Sequence, residues 1–246
     1  MPAREAFFAG DPFTGRIYDF SGRISCQHRM DYSPAIIDLQ RAPADILAGS
    51  AAEEFSSCSA GGAVAYKPGF QPDEDLRQLL LDTYYFPYYR LLEDSLDRDD
   101  VRMGVDCHSM AALAPDDADD AGRPRPLICL GNLGDAAGEP ASTGTGLSCD
   151  PEMIRFVREE FTRVLQHEDV DLAVPESTAL NSPFAGGRIT QEMSRRDTPF
   201  LQIQMSQALY LARPHFDRDR LEADEARLKD LNAKIWQVLQ NTIRNL

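Results

Sequence analysis

The chain has 246 residues, with 25 Lys and Arg against 40 Asp and Glu, and a net charge of −15. A surface this acidic repels polyanions, which excludes phosphate-backbone binding as the main activity, so nucleic acid is not an expected partner. No run approaches the ~18–20 apolar residues of a membrane-spanning helix, whereas a hydrophobic fraction of 43% suffices for a core and predicts one domain over residues 1–246.

The N-terminus carries Glu5 and meets Gly10-Asp11 before any apolar stretch develops, unlike a secretory signal, and the expected location is cytoplasmic. Five cysteines (Cys26, Cys58, Cys107, Cys129 and Cys149) form no CxxC pair and are odd in number. They read as free thiols in a reducing compartment.

In chain order, the apolar run Ala35-Ile36-Ile37-Asp38-Leu39 predicts a buried strand that delivers Asp38 to its end. Residues 44–71 are small and rich in Ser and Gly and predict a surface excursion. From Gln71 to Arg98, Leu76, Leu79, Leu80, Tyr84, Tyr88, Leu91 and Leu92 recur at three- and four-residue spacing, predicting a helix with a kink or break at Pro87. Val101–Cys107 reads as a second strand running into His108-Ser109, and Leu127–Leu130 as a third. Cys149-Asp150-Pro151 opens a helix whose one-sided stripe is Met153, Ile154, Val157, Phe161, Val164 and Leu165. Asp171–Val174 and Phe200–Met205 complete the strands, and residues 217–244 predict one long, charged terminal helix. Strands alternating with helices and long loops imply an α/β three-layer sandwich with a mixed, mostly parallel sheet.

Three segments carry candidate chemistry. In Asp106-Cys107-His108-Ser109, at the end of a strand, His108 can ligate a metal while Asp106 orients its ring and Ser109 supports it; the alternative is a histidine bonded within its own loop. In Asn181–Gly187, the adjacent Gly186 and Gly187 permit close approach of a ligand or serve only as a turn. In Leu201–Met205, Gln202 and Gln204 project to one side of an apolar strand. They either line a site or mark an edge strand.

Taken together, Asp11-Pro12-Phe13-Thr14 with Ile17-Tyr18, Tyr32-Ser33 through Asp38-Leu39-Gln40-Arg41, Asp106–Met110, Leu130-Gly131-Asn132 with Gly146–Pro151, Asn181–Ile189, and Gln202–Met205 with Leu209-Tyr210 resemble the N-formylglutamate amidohydrolase family. The resemblance implies a zinc-peptidase-like fold of the phosphorylase/hydrolase type. It also implies zinc as cofactor, a small N-acyl amino acid as ligand, and hydrolysis of its amide by metal-activated water, as in histidine degradation. By that resemblance Asp11 and His108 are metal ligands, Arg41, Asn181, Gly186 and Gly187 bind substrate, and Gln204 occupies the position of the catalytic glutamate. The departures are specific: the family's Pro-His-x-Gly segment has no counterpart in the chain, Gln204 replaces Glu, Pro34 replaces Arg and Gln40 replaces Asn. An amide cannot accept the proton that the family's carboxylate takes. The alternative these departures imply is a catalytically impaired relative that keeps the pocket for binding or regulation. His28 is a possible substitute ligand or a solvent-facing histidine.

Overall fold

The computed structural model describes all residues except 1–2, 9, 35, 49–69, 71, 117 and 143–145. Cys58 and most of the 44–71 excursion therefore lie outside the described residues. At the near end of that excursion Pro43–Ala48 is helical (α3) rather than irregular, following two short helices, α1 (Ala3–Phe8) and α2 (Thr14–Ile17).

The strand expected at Ala35–Leu39 does not form. The chain instead passes through turns at Ile36 and at Leu39–Gln40, with Ile37 and Leu39 buried as anchors. Phenols take the carbonyls at and just beyond the end of this stretch: Tyr89 donates to the Leu39 carbonyl at 2.7 Å and Tyr85 to the Arg41 carbonyl at 2.8 Å. Buried carbonyls need partners, and here side chains supply what a neighbouring strand would have given.

Those tyrosines come from the long helical segment, which divides into α4 (Glu74–Leu80), a π-helical turn (Leu81–Tyr85) and α5 (Phe86–Leu96). The interruption expected at Pro87 takes this form because proline has no N–H to donate and its ring crowds the carbonyl four residues back. Widening the preceding turn lets the helix continue. Asp73 caps α4 by accepting from the Leu76 N–H at 2.9 Å.

A four-stranded sheet has the order β1 (Gly104–Met110), β4 (Phe200–Ser206), β2 (Ile128–Gly131), β3 (Thr178–Leu180). β1–β4 and β2–β3 are parallel and β2–β4 antiparallel, so the sheet is mixed and mostly parallel. Asp171–Val174, expected as a strand, is turn and coil; the strand lies at Thr178–Leu180, a shorter and less apolar stretch that pairing with β2 recruits. β4 is central and buried along its whole length, which removes the edge-strand reading of Gln202 and Gln204.

Register assigns the two faces. Leu201, Ile203 and Met205 join Ile128 and Leu130 against α6 (Pro151–Val164) and the terminal helix α8 (Glu225–Asn245). Phe200 faces α5 and α7 (Arg188–Met193) with Leu96, Ile189 and Met193. A Cβ built on Gly104 would fall 2.4 Å from the Phe200 ring and 2.7 Å from Leu96, so Gly104, Asp106 and His108 look toward this same layer. Helices thus cover both faces of the sheet, as an α/β sandwich requires.

The terminal helix is shorter than 217–244. Phe216–Asp217 (β5) and Glu222–Ala223 (β6) pair as a small antiparallel ribbon, and α8 starts where Asp224 accepts from the Ala226 N–H at 2.9 Å. Leu228, Leu231, Ile235, Val238 and Leu239 are its buried stripe, while Ile243 is exposed and Leu221 belongs to the turn of the ribbon. Glu168, beyond the end of α6, is buried between Arg227 and Lys234 of α8, with the Arg227 bond at 2.5 Å. No helix among the described residues is long and apolar enough to cross a membrane.

Candidate active site

Asp11 follows Gly10 and precedes a turn in which Phe13 takes φ 63° and the Thr14 hydroxyl donates to the Asp11 carbonyl at 2.7 Å. This turn aims the Asp11 carboxylate at the C-terminal half of β1. One oxygen accepts from both the backbone N–H and the hydroxyl of Ser109 at 2.8 Å, and the other lies 3.0 Å from His108 Nδ1. The opposite ring nitrogen, Nε2, is 2.8 Å from Asp106 Oδ1. His108 is therefore clamped between two carboxylates, and Tyr18 donates to its backbone carbonyl at 3.1 Å.

The clamp extends through amides. Gln40 Nε2 donates to Asp106 Oδ2 at 3.0 Å, while Gln40 Oε1 accepts from the Ile189 N–H at 3.3 Å. Gln202 stands in register with Asp106, and its own Oε1 is buried without a partner among the described residues. Burial works against charge on His108, but the Asp106 and Asp11 carboxylates override it and hold the imidazole pKa well above its ordinary value. Asp106 moves the other way: burial would raise it, and His108, Gln40 and Gln202 together hold it low.

The sequence-derived residues separate into two groups. Asp11, Asp106, His108 and Ser109 form one connected cluster, and Gln204 stands beside His108 in the β1–β4 register. Gly187 borders them, since a Cβ there would lie 2.0 Å from Gln40 Oε1 and 3.4 Å from Gln202 Nε2. Arg41 lines the same cleft, 3.5 Å from Asp38. Gly186, with φ 137°, packs toward Leu133 and Thr190 instead. Asn181 lies apart from the cluster: its amide bonds Asn132 Oδ1 at 2.8 Å and the Asp135 carbonyl at 2.7 Å, stitching the ends of β2 and β3 together. Gln40 and Tyr18 are the residues that motif reasoning undervalued. A substitution in a motif and a tyrosine among apolar neighbours carry no signal of their own until the fold brings them to His108.

The donor set does not fit a catalytic zinc, which takes three protein ligands and keeps an open position. Asp11 and His108 supply two donors, and the second ring nitrogen of His108 is held by Asp106. Among the described residues no group of three His, Cys, Asp or Glu side chains is gathered to hold a metal. His28, whose Nε2 lies 2.7 Å from the Ser95 hydroxyl, does not join them.

A model of the N-formylglutamate amidohydrolase family matches residues 1–211. Among curated proteins none matches. A crystal structure of an N-formylglutamate amidohydrolase from Ralstonia eutropha JMP134 is similar at 20% identity and a TM-score of 0.49, over 72% of this chain; the chain spans 59% of the length of that one. With residues 1–211 of 246 inside the family model, the chain belongs to the N-formylglutamate amidohydrolase family.

Proposed function

We propose that this family member binds a small N-acyl amino acid in the cleft beside His108 and that its described residues serve recognition rather than hydrolysis. The observation that carries the reading is the clamp itself: both ring nitrogens of His108 lie against carboxylates, 3.0 Å from Asp11 and 2.8 Å from Asp106, on the wall of a cleft that Arg41 also lines. Arg41, beside Asp38 in this cleft, carries the guanidinium that suits the carboxylate of an amino-acid ligand.

Hydrolysis needs a group that accepts a proton from the attacking water. Gln204 is an amide, and His108 has both ring nitrogens engaged, Nδ1 by Asp11 and Nε2 by Asp106, which leaves neither facing an attacking water. The second reading, a zinc-dependent amidohydrolase, draws on one observation: Asp106 lies on His108 Nε2 at 2.8 Å, the orientation a carboxylate gives to a metal-bound histidine. It requires a third ligand beyond Asp11 and His108.

Calorimetric titration with N-formylglutamate, paired with formate release and zinc content, separates the two. Saturable binding by metal-free protein, weakened about tenfold or more in Arg41→Ala and without formate release, supports recognition. Release of formate by protein carrying about one zinc per chain would overturn it in favour of the hydrolase.

A further inference from the structure

The cleft that contains His108 is larger than a single amino acid needs. Its volume is about 1650 Å³, whereas pockets for small ligands run to roughly 300–1,000 Å³. It follows every residue from Asp100 to His108, taking in both faces of β1, and this continuity means that it runs along the open edge of the strand. β1 is an edge strand of the sheet and is only half-buried over six of its seven residues.

Backbone alternation fixes what that edge presents. The Gly104 N–H donates toward β4, to the Pro199 carbonyl at 2.9 Å, so Asp106 and His108 also turn their backbone groups to β4. Val105, Cys107 and Ser109 turn theirs outward. Asp11 takes the Ser109 N–H. Among the described residues, the outward groups of Val105 and Cys107 have no partner. Such a row of unpaired donors and acceptors is what an extended peptide adds to.

The charge of the walls specifies the peptide. Of the five carboxylates lining the cleft, Asp31, Asp38 and Asp100 pair with arginines, and Asp11 and Asp106 share the His108 ring. Two guanidiniums in it, on Arg102 and Arg244, form no ion pair among the described residues, and Arg102 bonds the Ile243 carbonyl; a third, on Arg23, lies over the Phe20 and Trp236 rings beside Asp19. In a chain of net charge −15, this is a local reversal of sign.

We infer that the ligand of this cleft is an extended acidic peptide, which adds as a strand to the open edge of β1 through Val105 and Cys107 and places one end beside His108. The inference rests on the proposed recognition site and names its ligand class: the end group occupies the space beside His108 and Arg41, and the following acidic side chains meet Arg102, Arg244 and Arg23. Seven paired residues would extend ~23 Å along the strand.

The test uses an N-formylated heptapeptide alternating glutamate and valine, labelled at its C-terminus, a version with lysine for glutamate, and free N-formylglutamate. The acidic peptide is expected to bind at least tenfold more tightly than N-formylglutamate. The lysine version is expected to bind at least tenfold more weakly than the acidic one, and hydrogen exchange at the Val105 and Cys107 amides to slow on binding. Val105→Pro removes an N–H that faces away from the ladder, a position where an edge strand tolerates proline, and should weaken the peptide about tenfold while sparing N-formylglutamate. The surface variant Arg102→Ala/Arg244→Ala should do the same without touching the sheet. Equal affinity for peptide and free amino acid overturns the inference and leaves the recognition site standing. Peptide binding that is indifferent to charge, or that leaves Val105 and Cys107 unprotected, also overturns it. Absence of binding by either ligand overturns both readings.

Discussion

Gly187→Ala isolates the hydrogen-bonded frame around His108. The backbone at Gly187 is extended (φ −86°, ψ −169°), so alanine meets no torsional penalty there. The cost is steric and has one address: the new Cβ would lie 2.0 Å from Gln40 Oε1 and 2.7 Å from Gln40 Cδ, and the amide must swing away. Two bonds leave with it, Gln40 Nε2 to Asp106 at 3.0 Å and the Ile189 N–H to Gln40 Oε1 at 3.3 Å. A neutral bond contributes about 1 kcal/mol and one to a buried carboxylate about 1.5–3 kcal/mol, so the loss is about 2–4 kcal/mol. With a slope of about 3 kcal/mol per molar urea, the unfolding midpoint falls by about 1 M. The decisive measurement is the same substitution in a Gln40→Ala background. With the amide gone there is nothing to displace, and Gly187→Ala should then cost less than about 0.5 kcal/mol. A midpoint that does not move in the wild-type background, or a penalty that persists undiminished without Gln40, refutes the reasoning.

Three further outcomes follow from the charges and thiols. In chelator-treated protein, His108 contributes stability that is complete below its unfolded pKa near 6.5 and is lost as pH rises through its raised folded value. Asp106 contributes above about pH 4 and loses its share as pH falls through its lowered value. The stability difference between wild type and His108→Gln should therefore peak between about pH 4 and 6.5; a difference that grows steadily above pH 7 contradicts the clamp. Glu168→Ala removes a carboxylate bonded by both Arg227 and Lys234, each of which keeps Asp230 as a partner, and should cost about 1.5–3 kcal/mol by chemical denaturation; a cost below about 0.5 kcal/mol would contradict it. Burial pushes the Cys129 and Cys149 thiols up to about 12, so mass spectrometry after iodoacetamide treatment at pH 8 should find both unmodified in the native state and alkylated after unfolding.

Much of the fold was legible in the chain because it is written in local periodicity. The apolar stripe Met153–Leu165 requires a helix against a core whatever surrounds it, and the runs at 127–130 and 200–205 have the length and β-rich composition of strands, although only pairing with β1 and β2 made the second a central one. Asp106 and His108, two residues apart on a strand, had to face the same way. Elements that depend on distant partners were not legible. Ile36–Leu39 has the composition of a strand, but among the described residues no strand lies beside it, and the Tyr89 and Tyr85 hydroxyls take the carbonyls of Leu39 and of Arg41 just beyond it. Thr178–Leu180 is a strand only because β2 offers it a ladder.

The candidate site divides along the same line. Sequence determined which groups are available: a histidine with a carboxylate two residues before it, an aspartate far upstream, and glutamine where a carboxylate would manage protons. Tertiary structure decided what they do to one another. It brought Asp11 across 97 positions to His108 Nδ1, set Gln40 on Asp106, turned Asn181 away to bind Asn132, and left the outer edge of β1 unpaired among the described residues. The reason is the range of the forces: propensity and periodicity act within a few residues of the chain, whereas the protonation of His108 is set by whichever charges lie within a few ångströms in space.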